Sequence, residues 1–492
     1  MSDNQKINDF FRRIEQHFEQ TQTLPAELTN LIQQDKLKNI YGYFLCNRAH
    51  FEARLAKGQP FRLDKKRTNL ARTLNVIFHP QTKEPILLLE TKSKNALNQK
   101  DANSKVYSGA YKSTKVAWRI DSQTPEKVAN AVFYINKIEK ERAAKQTEVI
   151  THALSEAKKE VYLSDMVAKN TPNEQINVNC PVLGQVIDKP GIRKSTKINY
   201  VQKISFYSAW AQEGTLDTFL ETEQAKALTP DRLNQMAKQL IKGLVAIHKS
   251  GVIHQDIKPA NILVFNDGIG NYRLELADFG ISASATDPNL SQIEALATVQ
   301  YESPEISAAN NKRKDPSQED KMIIPYNHAY FYDTKYLSYG QNFGKEMAFK
   351  PEYSSPDKAN DAWALGVVLH IIFNKTKPSL ENQQHFSPLI AGLLQPDRAN
   401  RFTVEQALEC IEIEIQRVDA DARAKAEVEA LEREVQVQQA KAETTAFIMA
   451  NNGFHPGFRA NKSPEANPRK MSRCNLLYDW VNEKLHYKRA RM

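Results

Sequence analysis

Asp256, Lys258 and Asn261 stand close together in the stretch Val252-Ile-His-Gln-Asp-Ile-Lys-Pro-Ala-Asn-Ile-Leu-Val264. The pattern predicts a short loop between a helix and a strand, a place where an acid, a cation and an amide can converge. Asp278-Phe279-Gly280 follows, after a short strand at 273–277. A carboxylate there can bind a metal ion, and the glycine permits a sharp exit. Phosphoryl transfer needs this set of parts: a carboxylate to receive the acceptor hydroxyl's proton, a cation near the transferred group, and oxygen ligands for Mg²⁺.

These residues resemble the eukaryotic-type (Hanks-type) protein kinases, whose HRDxKxxN element matches His254-Gln-Asp-Ile-Lys-Pro-Ala-Asn261 and whose DFG is identical to Asp278-Phe-Gly280. Thr298-Val-Gln-Tyr-Glu-Ser-Pro-Glu305 looks like the end of an activation segment. Asp361-Ala-Trp-Ala-Leu-Gly366 looks like the start of the family's buried central helix, and Asp397-Arg-Ala-Asn-Arg401 like its late arginine element. The resemblance covers about residues 85–415. It implies a serine/threonine kinase that uses ATP and Mg²⁺ on a protein substrate. Asp256 would orient the hydroxyl and accept its proton, Lys258 would neutralise the transferred phosphoryl, and Asn261 and Asp278 would hold the metal. It also implies that Arg401 pairs with Glu305, and that His254 is a hydrogen-bonded core histidine rather than a base. Gln255 replaces the arginine that binds a phosphorylated activation loop, which implies activity independent of that phosphate.

The first half of the resemblance departs from the family. Its glycine-rich phosphate loop should precede Val106, yet Gln99–Ser104 contains no glycine. Val116-Ala-Trp-Arg119 stands where the family has V-A-I-K, so Arg119 takes the place of the phosphate-binding lysine, and Arg is not an interchangeable cation. Lys115 and Lys137 are the alternative cations. Glu148 is the expected carboxylate partner, with Glu139 and Glu141 as alternatives. These departures keep two other readings open: a pseudokinase scaffold, and a kinase fold that catalyses a different nucleotide-dependent transfer.

The elements that position these residues read as an α+β, bilobal kinase-like arrangement. Residues 1–70 form an N-terminal helical extension, with Ile7, Phe10, Phe11, Ile14 and Phe18 at helical spacing. The kinase-like domain spans 71–415, with a β-rich small lobe at about 71–212 and a helical large lobe at about 213–415. Leu74–Phe78, Ile86–Leu89, Val106–Tyr111, Lys115–Ile120, Ile176–Ile187 and Ile198–Ala209 read as strands. Glu126–Leu154 reads as a long helix, and helix returns from Pro230. Residues 306–356 form a tyrosine-rich insert, too long for a passive loop. A helical and basic extension covers 416–492.

Composition sets the outer bounds. The chain has 492 residues, 41% hydrophobic and 25% charged, as expected of a folded protein of several domains. No apolar run approaches the ~20 residues of a membrane-spanning helix, and MSDNQKINDFF has neither the basic nor the apolar region of a secretory signal. The four cysteines are scattered without a CxxC pair, which argues against a zinc site or disulfide framework and for a reducing, cytoplasmic setting. The low glycine count, 17, and the Lys-, Asn- and Gln-rich loops look similar to bacterial effector kinases delivered into host cells. The net charge is +9, most of it beyond Arg459. A global nucleic-acid-binding surface is therefore not expected. The basic tail around Leu476–Leu485 could instead meet an acidic membrane surface or a partner.

Overall fold

The computed structural model describes residues 2–20, 24–63, 73–80, 82–90, 112–134, 159–170, 178, 184–187, 191–192, 199–200, 203–266, 268, 270–287, 298–314, 321–323, 346–348, 355–376 and 380–451. The chain divides into two compact units, 1–411 and 412–492. Helices α1 (Asp3–Glu19), α2 (Ala26–Thr29), α3 (Gln34–Cys46) and α4 (Arg48–Leu55) come first. The stripe foreseen on α1 is buried at Ile7, Phe10, Phe11 and Ile14, while Phe18 stays 41% exposed.

A seven-stranded antiparallel sheet follows, in the order β1-β2-β3-β4-β5-β9-β6. Its strands are β1 (Phe61–Leu63), β2 (Leu74–Phe78), β3 (Pro85–Glu90), β4 (Lys112–Arg119), β5 (Glu126–Tyr134), β6 (Gly184–Ile187) and β9 (Lys203–Ala209), and the short strands β7 (Gly191–Ile192) and β8 (Asn199–Tyr200) pair with each other. β1 already begins inside the segment read as a helical extension. Side chains alternate between faces. Leu74, Val76, Leu87, Leu89, Trp118 and Ile120 join the core made by α1, α3 and α4. Ile77, Ile86, Leu88, Ala117, Val128 and Tyr207 form a second cluster on the other face. The sheet curls until its last strand meets its second. A Cβ on Gly184 would lie 2.9 Å from Ile77 Cδ1 and 3.0 Å from the Phe78 carbonyl oxygen, so only glycine permits the approach.

The helix expected from Glu126 is instead strand β5, paired along its length with β4 and β9. The Ala, Glu and Lys content favours a helix. However, Val128, Asn130 and Val132 are buried while Ala129 and Ala131 between them are only half-buried, a period of two that sheet pairing enforces. Residues 135–158, and with them Lys137, Glu139, Glu141 and Glu148, lie outside the described residues, as do Val106–Tyr111 and Gln99–Ser104. A helix, α5, is described over 159–170.

The first unit continues with mainly helical structure: α6 (Leu216–Phe219), α7 (Glu223–Lys226), α8 (Pro230–Lys249), α9 (Pro304–Lys314), α10 (Lys358–Thr376), α11 (Leu380–Leu393) and the start of α12 (Val404–Asn451). The Thr229 hydroxyl accepts from Arg232 N and Pro230 opens α8, both favourable helix starts. The helix buries Leu233, Met236, Ala237, Leu240, Leu244 and Ile247. Gly251, at φ +72°, turns the chain into β10 (Val252–Ile253). α10 is buried nearly all round, the pattern of a helix through a core. Within the 306–356 insert, the described strands Lys321–Ile323 and Glu346–Ala348 pair antiparallel. In the second unit the helix is largely exposed, including Ile413, Val437 and Phe447. The basic tail lies outside the described residues. No helix among the described residues is long and apolar enough to cross a membrane.

Phe10 is fully buried, its ring 5.5 Å from Phe11 and 6.2 Å from Phe44. Phe10→Ala should cost about 3–5 kcal/mol, read from urea unfolding of the full chain. A loss below about 1 kcal/mol would mean that the N-terminal helices do not share the core of the sheet.

Candidate active site

β10, a loop, and the antiparallel pair β11 (Ile262–Asn266) and β12 (Tyr272–Leu276) frame the residues singled out for chemistry. Asp361, at the start of α10 and fully buried, fixes the loop. Its Oδ2 accepts from His254 N at 2.7 Å and contacts His248 Nε2 at 2.9 Å, and its Oδ1 accepts from Gln255 N at 2.7 Å. Three donors offset the cost of burying a carboxylate. Gln255 is thereby held at φ +66°, a conformation costing a non-glycine residue of order 1–3 kcal/mol. Its side chain donates to the Ile281 carbonyl at 2.7 Å. His254 Nε2 reaches the Ala277 carbonyl at 3.2 Å and its Nδ1 accepts from Asp256 N at 3.3 Å. Both ring nitrogens are committed to backbone, as the core role requires.

Three of the expected residues meet at one carboxylate. Asp256 Oδ2 accepts from Lys258 Nζ and from Asn261 Nδ2, each at 2.7 Å, and Oδ1 accepts from the Thr298 hydroxyl at 2.6 Å. Lys258 also donates to Thr298 Oγ1 at 2.9 Å. Asn261 Nδ2 donates in addition to the Asp256 carbonyl at 2.9 Å, so its amide oxygen is the atom left to face a cation. Asp278 adopts φ +73°, with Gly280 N donating to its Oδ1 at 3.3 Å. Phe279 is buried against the His254 ring, 5.1 Å between centroids.

Glu160, on α5, was not foreseen. A Cβ built on Gly280 would meet Asp278 Oδ1 at 3.2 Å and Glu160 Oε2 at 3.9 Å. The α5 carboxylate therefore lies at the Asp278–Gly280 turn. The signal was present in the sequence: Glu160 precedes Leu163 and Val167, which are fully buried, at the spacing of one helix face.

Arg119 lies elsewhere. It ends β4, paired in register with Glu126 at the start of β5, and its guanidinium donates to Asp121 at 3.3 Å and Glu126 at 3.4 Å. Asp121 is fully buried and also accepts from Leu87 N and Arg13. The structure thus commits Arg119 to the β4–β5 turn and does not bring it to Asp256 or Asp278. Lys115 sits mid-strand opposite Asn130. The Arg401–Glu305 pair forms as expected, with both side chains fully buried.

Residues 152–319 match the protein kinase domain family. The chain carries a Hanks-type protein kinase domain. Among relatives, the dual specificity mitogen-activated protein kinase kinase 1 of Dictyostelium discoideum is 36% identical over 120 residues, 22% of this chain and 18% of the relative. The serine/threonine-protein kinase PknH of Mycobacterium tuberculosis is 40% identical over 95 residues, 19% of this chain and 14% of the relative. The stress-activated protein kinase JNK of Suberites domuncula is 26% identical over 199 residues, 37% of this chain and 54% of the relative. The chain thus spans between about a seventh and a half of the length of these relatives. The kinase domain brings with it the bilobal kinase fold, consistent with the curled sheet followed by helices.

Proposed function

We propose that the protein is an ATP-dependent serine/threonine protein kinase that transfers the γ-phosphoryl group to protein hydroxyls. The observation that carries this reading is the convergence of Lys258, Asn261 and Thr298 on Asp256. Asp256 Oδ1 already accepts a hydroxyl at 2.6 Å, so the same carboxylate can orient an acceptor hydroxyl and take its proton. Lys258 stands beside it to neutralise developing negative charge. The curled sheet and α5 would be the small lobe, the helices from about residue 213 the large lobe, and the nucleotide would lie between them.

The oxygens of Asn261 and Asp278 suit Mg²⁺, a hard cation held by one or two protein groups together with phosphates and water. Among the described residues no cluster of three or more His, Cys, Asp or Glu is arranged to hold a metal, and Mg²⁺ needs no such cage. When bound, it would neutralise phosphate charge. Glu160 takes the carboxylate role first expected of Glu148.

The test is incubation with Mg-ATP and a generic protein acceptor, followed by phosphoamino-acid analysis. Phosphoserine or phosphothreonine that disappears in Glu160→Gln and Asp278→Ala supports the reading. Phosphotyrosine alone, or no product, removes it. The commitment of Arg119 to the β4–β5 turn favours one second reading, a pseudokinase scaffold, which the same absence of product would support.

Regulation follows from Gln255. Its amide is engaged with the Ile281 carbonyl and lacks the charge needed for a bidentate phosphate contact. Phosphatase treatment should therefore leave the transfer rate within twofold. A tenfold loss would point to a phosphate-binding site elsewhere.

A further inference from the structure

The N-terminal helices meet the sheet across a polar seam as well as through their shared apolar core. Arg13 Nη2 on α1 donates to the Pro85 carbonyl and to Asp121 Oδ2, both at 3.1 Å. On α3, the Tyr41 hydroxyl donates to the Ile120 carbonyl at 2.6 Å. Asp121 Oδ1 accepts from Leu87 N at 3.0 Å and from Arg119 Nε at 3.3 Å, and Arg119 also donates to Glu126 at 3.4 Å. His17 completes the seam. It follows Arg13 by one turn on the same face of α1, and its ring lies 5.5 Å from that of Tyr41. His17 is 6% exposed, Tyr41 2% and Asp121 0%.

A titrating group enclosed here matters because the charges around it are already matched. Asp121 takes both arginines, and Glu126, half exposed, takes Arg119 a second time. A proton on His17 adds a positive charge that these carboxylates do not balance, in a place largely out of water. Burial is the strongest influence and holds the imidazole below its ordinary pKa of 6.5. The backbone and carboxylate of Asp121 and the backbone of Ser122 oppose it, while Arg13 adds to it. The last turn of α1, where His17 stands, also favours a cation, and burial outweighs it. Tyr41 is kept neutral by burial and by Asp121. The unfolded chain therefore binds the proton more readily. The stability that neutral His17 supplies is complete above 6.5 and is lost as the pH falls from there through the lowered folded value.

We propose that His17 is an acid-sensitive joint between the N-terminal helices and the sheet: neutral, it lets α1 and α3 close on the β4–β5 turn, and protonated, it loosens them there. The joint loosens and does not part, because the aliphatic and phenylalanine contacts of α1 in the shared core do not titrate. The proposal does not depend on the kinase reading.

The test is amide hydrogen exchange of the full-length protein at about pH 7.5 and about pH 5, on either side of the histidine range. Protection factors for α1 and α3 are taken relative to α10, so that intrinsic exchange and global stability cancel. In wild type this ratio should fall about threefold or more between the two pH values. In His17→Gln, which keeps an amide donor and cannot titrate, the ratio should stay constant. A constant ratio in wild type, or an equal fall in His17→Gln, would overturn the proposal. Should His17→Gln fail to fold, His17→Phe, which keeps the contact with Tyr41, decides by the same criteria. The His17 ring resonance in wild type reads the joint without any substitution. Titration together with the loss of protection supports the proposal, and titration at or above the ordinary 6.5 overturns it.

Discussion

Asp256→Asn should fold like the wild type and lose transfer by at least ~10²–10⁴-fold, the range typical of positioned proton transfer. The hydrogen bonds explain why the fold survives. Lys258 and Asn261 both donate to Oδ2, whereas Thr298 Oγ1 can turn to accept. The new amide therefore keeps its oxygen toward Lys258 and Asn261 and sets its NH₂ toward Thr298. The atom that faced the hydroxyl becomes a donor, and no group is left to take the proton. Parallel transfer assays and thermal unfolding check both halves. A wild-type rate would mean that Asp256 is not the base.

The second large effect is on stability. Arg401 is fully satisfied: Nη1 donates to Glu305 Oε1 at 2.6 Å and to the Ala359 carbonyl, Nη2 to Glu305 Oε2 at 3.0 Å and to the Pro396 carbonyl, and Nε to the Gln395 carbonyl. Neither side chain of the pair is exposed. Arg401→Leu leaves a buried carboxylate with, among the described residues, Asn360 Nδ2 as its remaining side-chain donor, at 3.1 Å, and should cost about 3–5 kcal/mol. Glu305→Gln in the same chain should return part of that loss, since it removes the stranded charge. Arg401→Lys should not rescue, because an ammonium cannot span both carboxylate oxygens and three carbonyls. Urea unfolding reads all three variants. A loss under about 1 kcal/mol for Arg401→Leu would contradict this assignment of the pair.

The parts of the site legible in the sequence are those whose partners lie in one loop or follow from the family resemblance. Asp256, Lys258 and Asn261 are neighbours in the chain, and Asp361 anchors the start of their loop through His254 N and Gln255 N. The Arg401–Glu305 pair joins distant segments and is not visible locally, but each segment carries its own motif. Arg119 shows the opposite case. Val116-Ala-Trp-Arg119 has the right local pattern, yet the position of that strand in the sheet is set by pairing. Asp121, two residues on, fully buried and paired with Arg13 of α1, captures the guanidinium. β5 escaped for a related reason. Its Ala, Glu and Lys content favours a helix, and only two flanking strands make the extended form better. Glu160, beside the Asp278–Gly280 turn, was not foreseen because the reading stopped at TEVITHAL, before the apolar stripe Leu163–Val167 that marks the buried face of α5; Glu148 itself lies outside the described residues.

The origin of the transferred phosphorus decides whether the terminal phosphoryl group of ATP is what reaches the acceptor. Full-length protein should be incubated with Mg²⁺, an acceptor protein and ATP labelled at either the γ or the α position, with Asp278→Ala alongside. Label should enter protein from γ-labelled ATP alone and vanish in Asp278→Ala, which removes the carboxylate that would hold Mg²⁺ with Asn261. Incorporation from α-labelled ATP would show nucleotide transfer instead, and γ-label that persists in Asp278→Ala would show that the site built around Asp256 and Asp278 does not perform the reaction.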